Sequence, residues 1–128
     1  ASRRRTLYLF TAPELHGPWT PHPCSPVRRG NYARNAGRII EIEGQCFRLA
    51  QEQRGYGGGV HAFQIVTLTR TAYAEIPFEG NPILAPGAAP WCRLGMHHLD
   101  VLKRGDQDYL GVYDGEGIAD ENAANRKP

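Results

Sequence analysis

Glycine and proline break this chain at short intervals: 15 glycines and 10 prolines stand in 128 residues. Proline removes a backbone donor, and glycine weakens any regular element that it interrupts. The segments between these breaks are short, and none sustains apolar residues at helical spacing. What remains is alternation with a period of two, the pattern of strands with one buried face. The expected fold is therefore all-β, made of short antiparallel strands joined by tight turns.

Leu7 to Ala12 is a compact apolar and aromatic run that reads as a buried strand. Pro13 to Pro18 reads as a turn, Trp19 to His22 as a short edge strand, and Pro23 to Asn31 as a loop. The clearest hairpin joins Ala36–Glu43 to Gln45–Gln51, with Glu43-Gly44 at its turn. In it, Ile40 and Ile42 alternate with Glu41 and Glu43, and Phe47 and Leu49 alternate with Arg48. Val60 to Thr69 is the next strand, with Ala62, Gln64, Val66 and Leu68 on one face, and Tyr73 to Pro77 is the fourth. After a loop from Pro82 to Trp91, Gly95–Lys103 and Gln107–Tyr113 form a second hairpin around Arg104-Gly105-Asp106. Asp114 to Pro128 is polar, lacks periodicity and is expected to fray or pack loosely.

Repeated four-stranded antiparallel meanders are the pattern of β-propeller blades. The expected organisation is a partial β-propeller domain over residues 1–115, followed by a polar tail over 116–128. One full blade covers about 36–77, with half blades on either side, which is too little to close a ring.

Charge is nearly balanced, 15 Lys and Arg against 13 Asp and Glu, so no nucleic-acid partner is expected. Arg3-Arg4-Arg5 reads as a solvated start. No apolar run is long enough to cross a bilayer, and no membrane partner is expected. Cys24, Cys46 and Cys92 are odd in number and widely spaced, which fits neither a disulfide framework nor a zinc knuckle. Cys46 reads as a small buried hydrophobe, and the cytoplasm is the expected compartment. The sequence carries no P-loop, dinucleotide fingerprint or nucleophile elbow, and no cofactor is expected.

Chemistry concentrates in the stretch from Arg48 to Phe63. It places Gln51, Glu52, Arg54 and Tyr56 beside Gly57-Gly58-Gly59 between two strand-like segments. Glycine permits positive φ and close approach of a ligand or another backbone. Such a cluster suits a sugar or similar polyol at the end of a sheet; a solvated hairpin loop is the plain alternative.

The ordered blocks of the chain resemble a known family. They are Gly17-Pro18-Trp19, Pro23 with Pro26-Val27, Ala33-Arg34-Asn35-Ala36-Gly37-Arg38, Arg48 to Glu52, Tyr56-Gly57-Gly58 and Gly95-Met96-His97-His98-Leu99. Together they resemble the glycosidase-like domain at the N-terminal side of glucosamine inositolphosphorylceramide transferases. The resemblance covers about residues 6 to 115 and departs from the family at Glu52, where an Asp is favoured. It implies the five-bladed propeller fold of the arabinanase, xylosidase and fructosidase superfamily. It also implies that this chain matches only the C-terminal part of such a ring, so that a first catalytic carboxylate would come from upstream.

Glycoside hydrolysis needs two facing carboxyl groups. Glu52 is the best acid candidate; Glu75, expected on an outer solvated edge, and Asp100 follow it. Glu41 and Glu43 read as a solvated face. Arg34 and Arg38 could hold a carboxylate or phosphate, or one of them could pair internally with Glu52. Gln51 could bond sugar hydroxyls or bridge two strands, and Tyr56 could stack on a sugar ring or cover the core. Gly57 and Gly58 complete the expected substrate-binding set. The resemblance adds His97, which in that superfamily lies near the central channel; a satisfied core histidine is the alternative, and no metal site is expected. His98 should face away from His97, His61 should face the pocket or the surface, and Trp19 and Trp91 should pack internally.

Three functional readings follow. The first is a carbohydrate-recognising domain that is incomplete for catalysis. The second is an active glycoside hydrolase or sugar transferase that uses Glu52 with a carboxylate from elsewhere. The third is a structural or interaction module. The expected partners are a carbohydrate and a second copy of the chain, or further blades, docked on open strand edges.

Overall fold

The computed structural model describes residues 5–118. Its centre is the expected meander: β5 (Ile40–Ile42), β6 (Gln45–Gln51), β7 (Val60–Leu68) and β8 (Tyr73–Pro77) form a four-stranded antiparallel sheet in chain order. Glu43 and Gly44 both have positive φ, 52° and 75°, which is the turn geometry that matches strand twist in a two-residue hairpin. β6 and β7 make the longest register, from Cys46 opposite Ile65 to Gln51 opposite Val60. A bulge at Val66 shifts the register toward β8.

One face of this sheet builds the core. Ala36, Ile40, Phe47, Leu49, Val60 and Ala62 are buried together, with Ile83, Leu84, Leu99 and Val101 packed against them. Val60 exchanges backbone hydrogen bonds with Leu84, which ties the chain after β8 onto the sheet. Burying each large side chain of this set stabilises the fold by about 2 kcal/mol.

The opposite face is covered too, against expectation. Arg48 is 3% exposed, and the Glu75 side chain is 5% exposed rather than on a solvated edge. Arg48 Nε and Nη2 each donate to a Glu75 oxygen at 2.7 Å, Arg28 Nε donates at 2.7 Å, and the Tyr73 hydroxyl donates at 2.6 Å. The Arg28 and Arg48 guanidiniums also lie over the Phe63 ring, 4.3 and 5.0 Å from its centroid. Burial pushes the Glu75 carboxyl up, but the donors from Arg48, Tyr73 and Arg28 outweigh it and hold the group at about 2. The same site pushes the Tyr73 phenol up to about 12, through burial first and then its bond to Glu75.

The N-terminal run is not one buried strand. β1 (Thr6–Leu7) pairs with β4 (Arg28–Arg29), whereas β2 (Phe10–Thr11) pairs with β3 (Thr20–Pro21). The change of partner falls at Tyr8 and Leu9, so Tyr8 and Phe10 are exposed. His22, 2% exposed, pins this region to the meander: Nδ1 accepts from the Cys24 amide, leaving Nε2 to donate to the Thr69 carbonyl at 2.9 Å.

A 3-10 turn at Pro90–Cys92 leads to β9 (Leu99–Gly105) and β10 (Asp108–Tyr113). The turn of this hairpin lies at Asp106-Gln107, later than expected, because Gln107 takes the positive φ of 59° and a bulge follows at Asp108. Residues 114–118 do not fray. Asp114 caps the His97 and His98 amides, Glu116 bridges Gly95, and the Ile118 amide donates to the Pro90 carbonyl. The rest of the expected tail, 119–128, lies outside the described residues. Among the described residues no helix is long and apolar enough to cross a membrane.

Candidate functional site

The residue after β6, Glu52, is a largely buried charge. The Glu52 amide donates to the Gly59 carbonyl, which closes the loop 53–58 on the sheet end and points the carboxylate toward the 31–34 turn. Its Oε1 accepts from Asn31 Nδ2 at 2.5 Å and Arg54 Nε at 2.8 Å; its Oε2 accepts from the Tyr32 hydroxyl at 3.0 Å and Arg54 Nη2 at 2.9 Å. His61 Nε2 lies 3.7 Å from Oε2. The carboxylate is 10% exposed, whereas the arginine clamping it is 79% exposed. Hydrogen bonds from Arg54, then from Asn31 and Tyr32, prevail over burial and hold Glu52 at about 2. At neutral pH it is a fixed anion, suited to positioning and unsuited to donating a proton.

Beside it opens a cleft of about 310 Å³ whose walls include Arg5, Arg34, Gln51, Glu52, Arg54, Tyr56 and Gly57. The Arg34 side chain is exposed there, while its carbonyl accepts from the Gln51 amide. Gln51, 5% exposed, donates from Nε2 to the Asn35 carbonyl at 2.9 Å, which is the strand-bridging alternative for this residue. Tyr56 is 66% exposed, and its ring lies 4.9 Å from that of His97, with its hydroxyl 3.1 Å from His97 Nε2. His97 Nδ1 lies 2.7 Å from Asp114 Oδ2, an ion-pair distance without hydrogen-bond alignment. Asp114 Oδ1 accepts the His97 and His98 amides, which lower its pKa against the effect of burial. The described residues contain no group of three or more side chains placed to hold a metal ion.

The glycines of the loop admit the chain's own atoms. Gly57 has φ of 70°, and a Cβ there would lie 2.7 Å from Gly95 Cα, at the point where the Met96 amide donates to the Gly57 carbonyl. A Cβ on Gly58 would meet Glu52 Cγ at 2.7 Å. Gly57 lines the cleft; Gly58 seats the Glu52 side chain.

Arg38 is not brought to the cleft. It donates to Asp100 Oδ1 at 2.6 Å and to the Val101 carbonyl at 2.8 Å, an exposed pair that also lowers the Asp100 pKa. Glu52 pairs with Arg54 rather than with Arg34 or Arg38. Sequence reasoning missed Asn31, Tyr32, Arg5 and Asp114. Tyr32 carried one local signal, since it follows Gly30-Asn31 in turn-prone sequence and has φ of 64°.

Fold and site together define an all-β antiparallel domain with a polar, arginine-rich cleft at one end of its main meander. The chain belongs to the family described as "Glucosamine inositolphosphorylceramide transferase 1, N-terminal", which residues 1–116 match. It is 30% identical over 115 residues to Glucosamine inositolphosphorylceramide transferase 1 of Oryza sativa subsp. indica, covering 86% of this chain and 16% of that protein. The protein of the same name from Arabidopsis thaliana is 28% identical over 132 residues, covering 98% of this chain and 17% of that protein. This chain thus spans less than a fifth of the length of either relative, 16% and 17%. No solved structure is significantly similar to it.

Proposed function

We propose that this chain is a carbohydrate-recognising domain, part of a five-bladed propeller of the glycosidase-like superfamily, that binds a sugar in the cleft beside Glu52 without cleaving it alone. The observation that carries this reading is the convergence of Arg34, Gln51, Glu52 and Tyr56 on one cleft. Tyr56 offers an exposed ring for stacking, and Arg34 offers donors for hydroxyls. The relatives' name pairs a sugar, glucosamine, with a transferase, which supports a carbohydrate-related role.

Catalysis has weaker support. Glu52 is the single carboxylate among the residues lining the cleft, and it is held ionised. An active hydrolase or sugar transferase would need a carboxyl group from outside these residues or from another subunit. In that second reading Glu52 serves as nucleophile only once the substrate has displaced the exposed Arg54 from it. The open edges at β5 and β8 support pairing with a second copy or with further strands.

The test is saturation-transfer NMR with a panel of neutral, amino and acidic monosaccharides and disaccharides, glucosamine included. Signal that disappears in Tyr56→Ala is the expected result; no transfer from any sugar overturns the reading. Release of aryl groups from aryl glycosides that stops in Glu52→Gln would favour the second reading instead.

A further inference from the structure

Five arginines of this fold have carboxylate partners. Arg28 and Arg48 share Glu75, Arg38 pairs with Asp100, Arg54 with Glu52 and Arg104 with Asp108. Arg5 and Arg34 have none among the described residues, and they line the same cleft. Among the described residues Arg29, Arg70 and Arg93 also lack one, and Arg70 lines a cleft that holds no second arginine.

Glu52 does not compensate Arg5 and Arg34. Each of its oxygens already accepts two side-chain donors, from Asn31 and Arg54 on one and from Tyr32 and Arg54 on the other. A carboxylate oxygen has about two lone pairs to offer, so both are filled. Its charge is matched by Arg54. Arg5 commits one N–H, from Nη2 to the Gln53 carbonyl at 3.2 Å, which orients its guanidinium at the cleft. The cleft wall therefore carries two uncompensated guanidinium charges next to the open Tyr56 ring.

We propose that Arg5 and Arg34 form a seat for an anionic oxygen group, so that the ligand of this cleft is an anionic sugar, a ring bearing a phosphate or a carboxylate. The inference rests on the carbohydrate reading above and narrows it. Guanidinium forks match the geometry of both groups, with paired N–H donors and full charge. The volume of about 310 Å³ suits a monosaccharide with one such substituent. In this arrangement Tyr56 takes the face of the ring, Arg34 and Arg5 take the anion, and the Glu52–Arg54 pair forms part of the same cleft wall.

The experiment is a calorimetric titration of the chain with four probes: glucose, glucose 6-phosphate, glucuronate and inorganic phosphate. Arg5→Gln and Arg34→Gln are titrated alongside, since both side chains are exposed and their loss should leave the fold intact. At least one of the two anionic sugars should bind roughly tenfold more tightly than glucose, and the tighter of them identifies the group. That advantage should fall about tenfold in Arg5→Gln while glucose affinity stays unchanged. In Arg34→Gln, which also removes donors for the sugar hydroxyls, affinity for the anionic sugar should fall about tenfold more than affinity for glucose, and the advantage should shrink at ~0.5 M salt. Glucose binding as tightly as both anionic sugars overturns the seat and leaves the carbohydrate reading standing. Inorganic phosphate binding as tightly as glucose 6-phosphate, with no binding of glucose, supports the seat and overturns the carbohydrate reading. Unchanged anionic affinity in both variants, or no binding by any probe, overturns the proposal.

Discussion

At the scale of residues, two carboxylates organise the described chain in different ways. Glu75 is sealed between Arg28, Arg48 and Tyr73 inside the fold, whereas Glu52 is sealed on its inner side and clamped by an exposed arginine on its outer side. Glu75→Gln leaves two buried or half-buried guanidiniums without a counter-charge and should destabilise by about 3–5 kcal/mol in urea unfolding. Tyr32→Phe removes one donor to Glu52 and should cost about 1 kcal/mol while letting the Glu52 pKa rise, which side-chain carboxyl NMR would read. Both glutamates sit at about 2 in the folded chain against an ordinary value of 4.5. Depressed carboxyl groups contribute stability above their ordinary value and lose it as pH falls through the folded one. Burial lowers the pKa of His61 as well, so the loss begins on the acid side of 6.5 and is steepest between pH 5 and pH 2. The urea midpoint measured across that range should fall steadily; a flat profile would show that the two carboxylates are not held as described.

At the scale of elements, the meander was legible because alternation and the Glu43-Gly44 turn agree on one register. Alternation could not show that the second face of the sheet is also covered, and so Glu75 read as solvated. The Leu7–Ala12 run misled because hydrophobicity does not encode a change of partner strand. At the cleft, Gln51, Glu52 and Tyr56 were readable from their closeness in sequence, and Arg34 from the ordered family blocks. Asn31 and Tyr32 reach Glu52 across 21 and 20 residues, and Asp114 reaches His97 across 17, with no local pattern to announce either contact. The loop itself depends on the Gly57–Gly95 approach. Gly57→Ala combines a positive φ with a Cβ 2.7 Å from Gly95 Cα and should cost at least ~2 kcal/mol. Hydrogen exchange should then show protection lost first at Met96, whose amide bonds to the Gly57 carbonyl.

At the scale of the whole molecule, one complete four-stranded sheet stands beside three two-stranded ones, and the sheet edges at β5 and β8 have no strand partner among the described residues. Unpaired edges are templates for further strands. Light scattering on the chain is expected to show a twofold dimer; a monomer at high concentration would count against edge pairing between copies. Self-association and ligand binding are separable, because the cleft is built from the loop ends around Arg34, Glu52 and Tyr56. The central claim is that this cleft holds a sugar. Mapping amide and side-chain chemical shifts during a sugar titration tests it most directly. The expected result is a set of perturbations confined to Arg34, Gln51, Tyr56 and their neighbours, abolished in Tyr56→Ala. Perturbations confined to the β9–β10 hairpin, or none at saturating sugar, would contradict it.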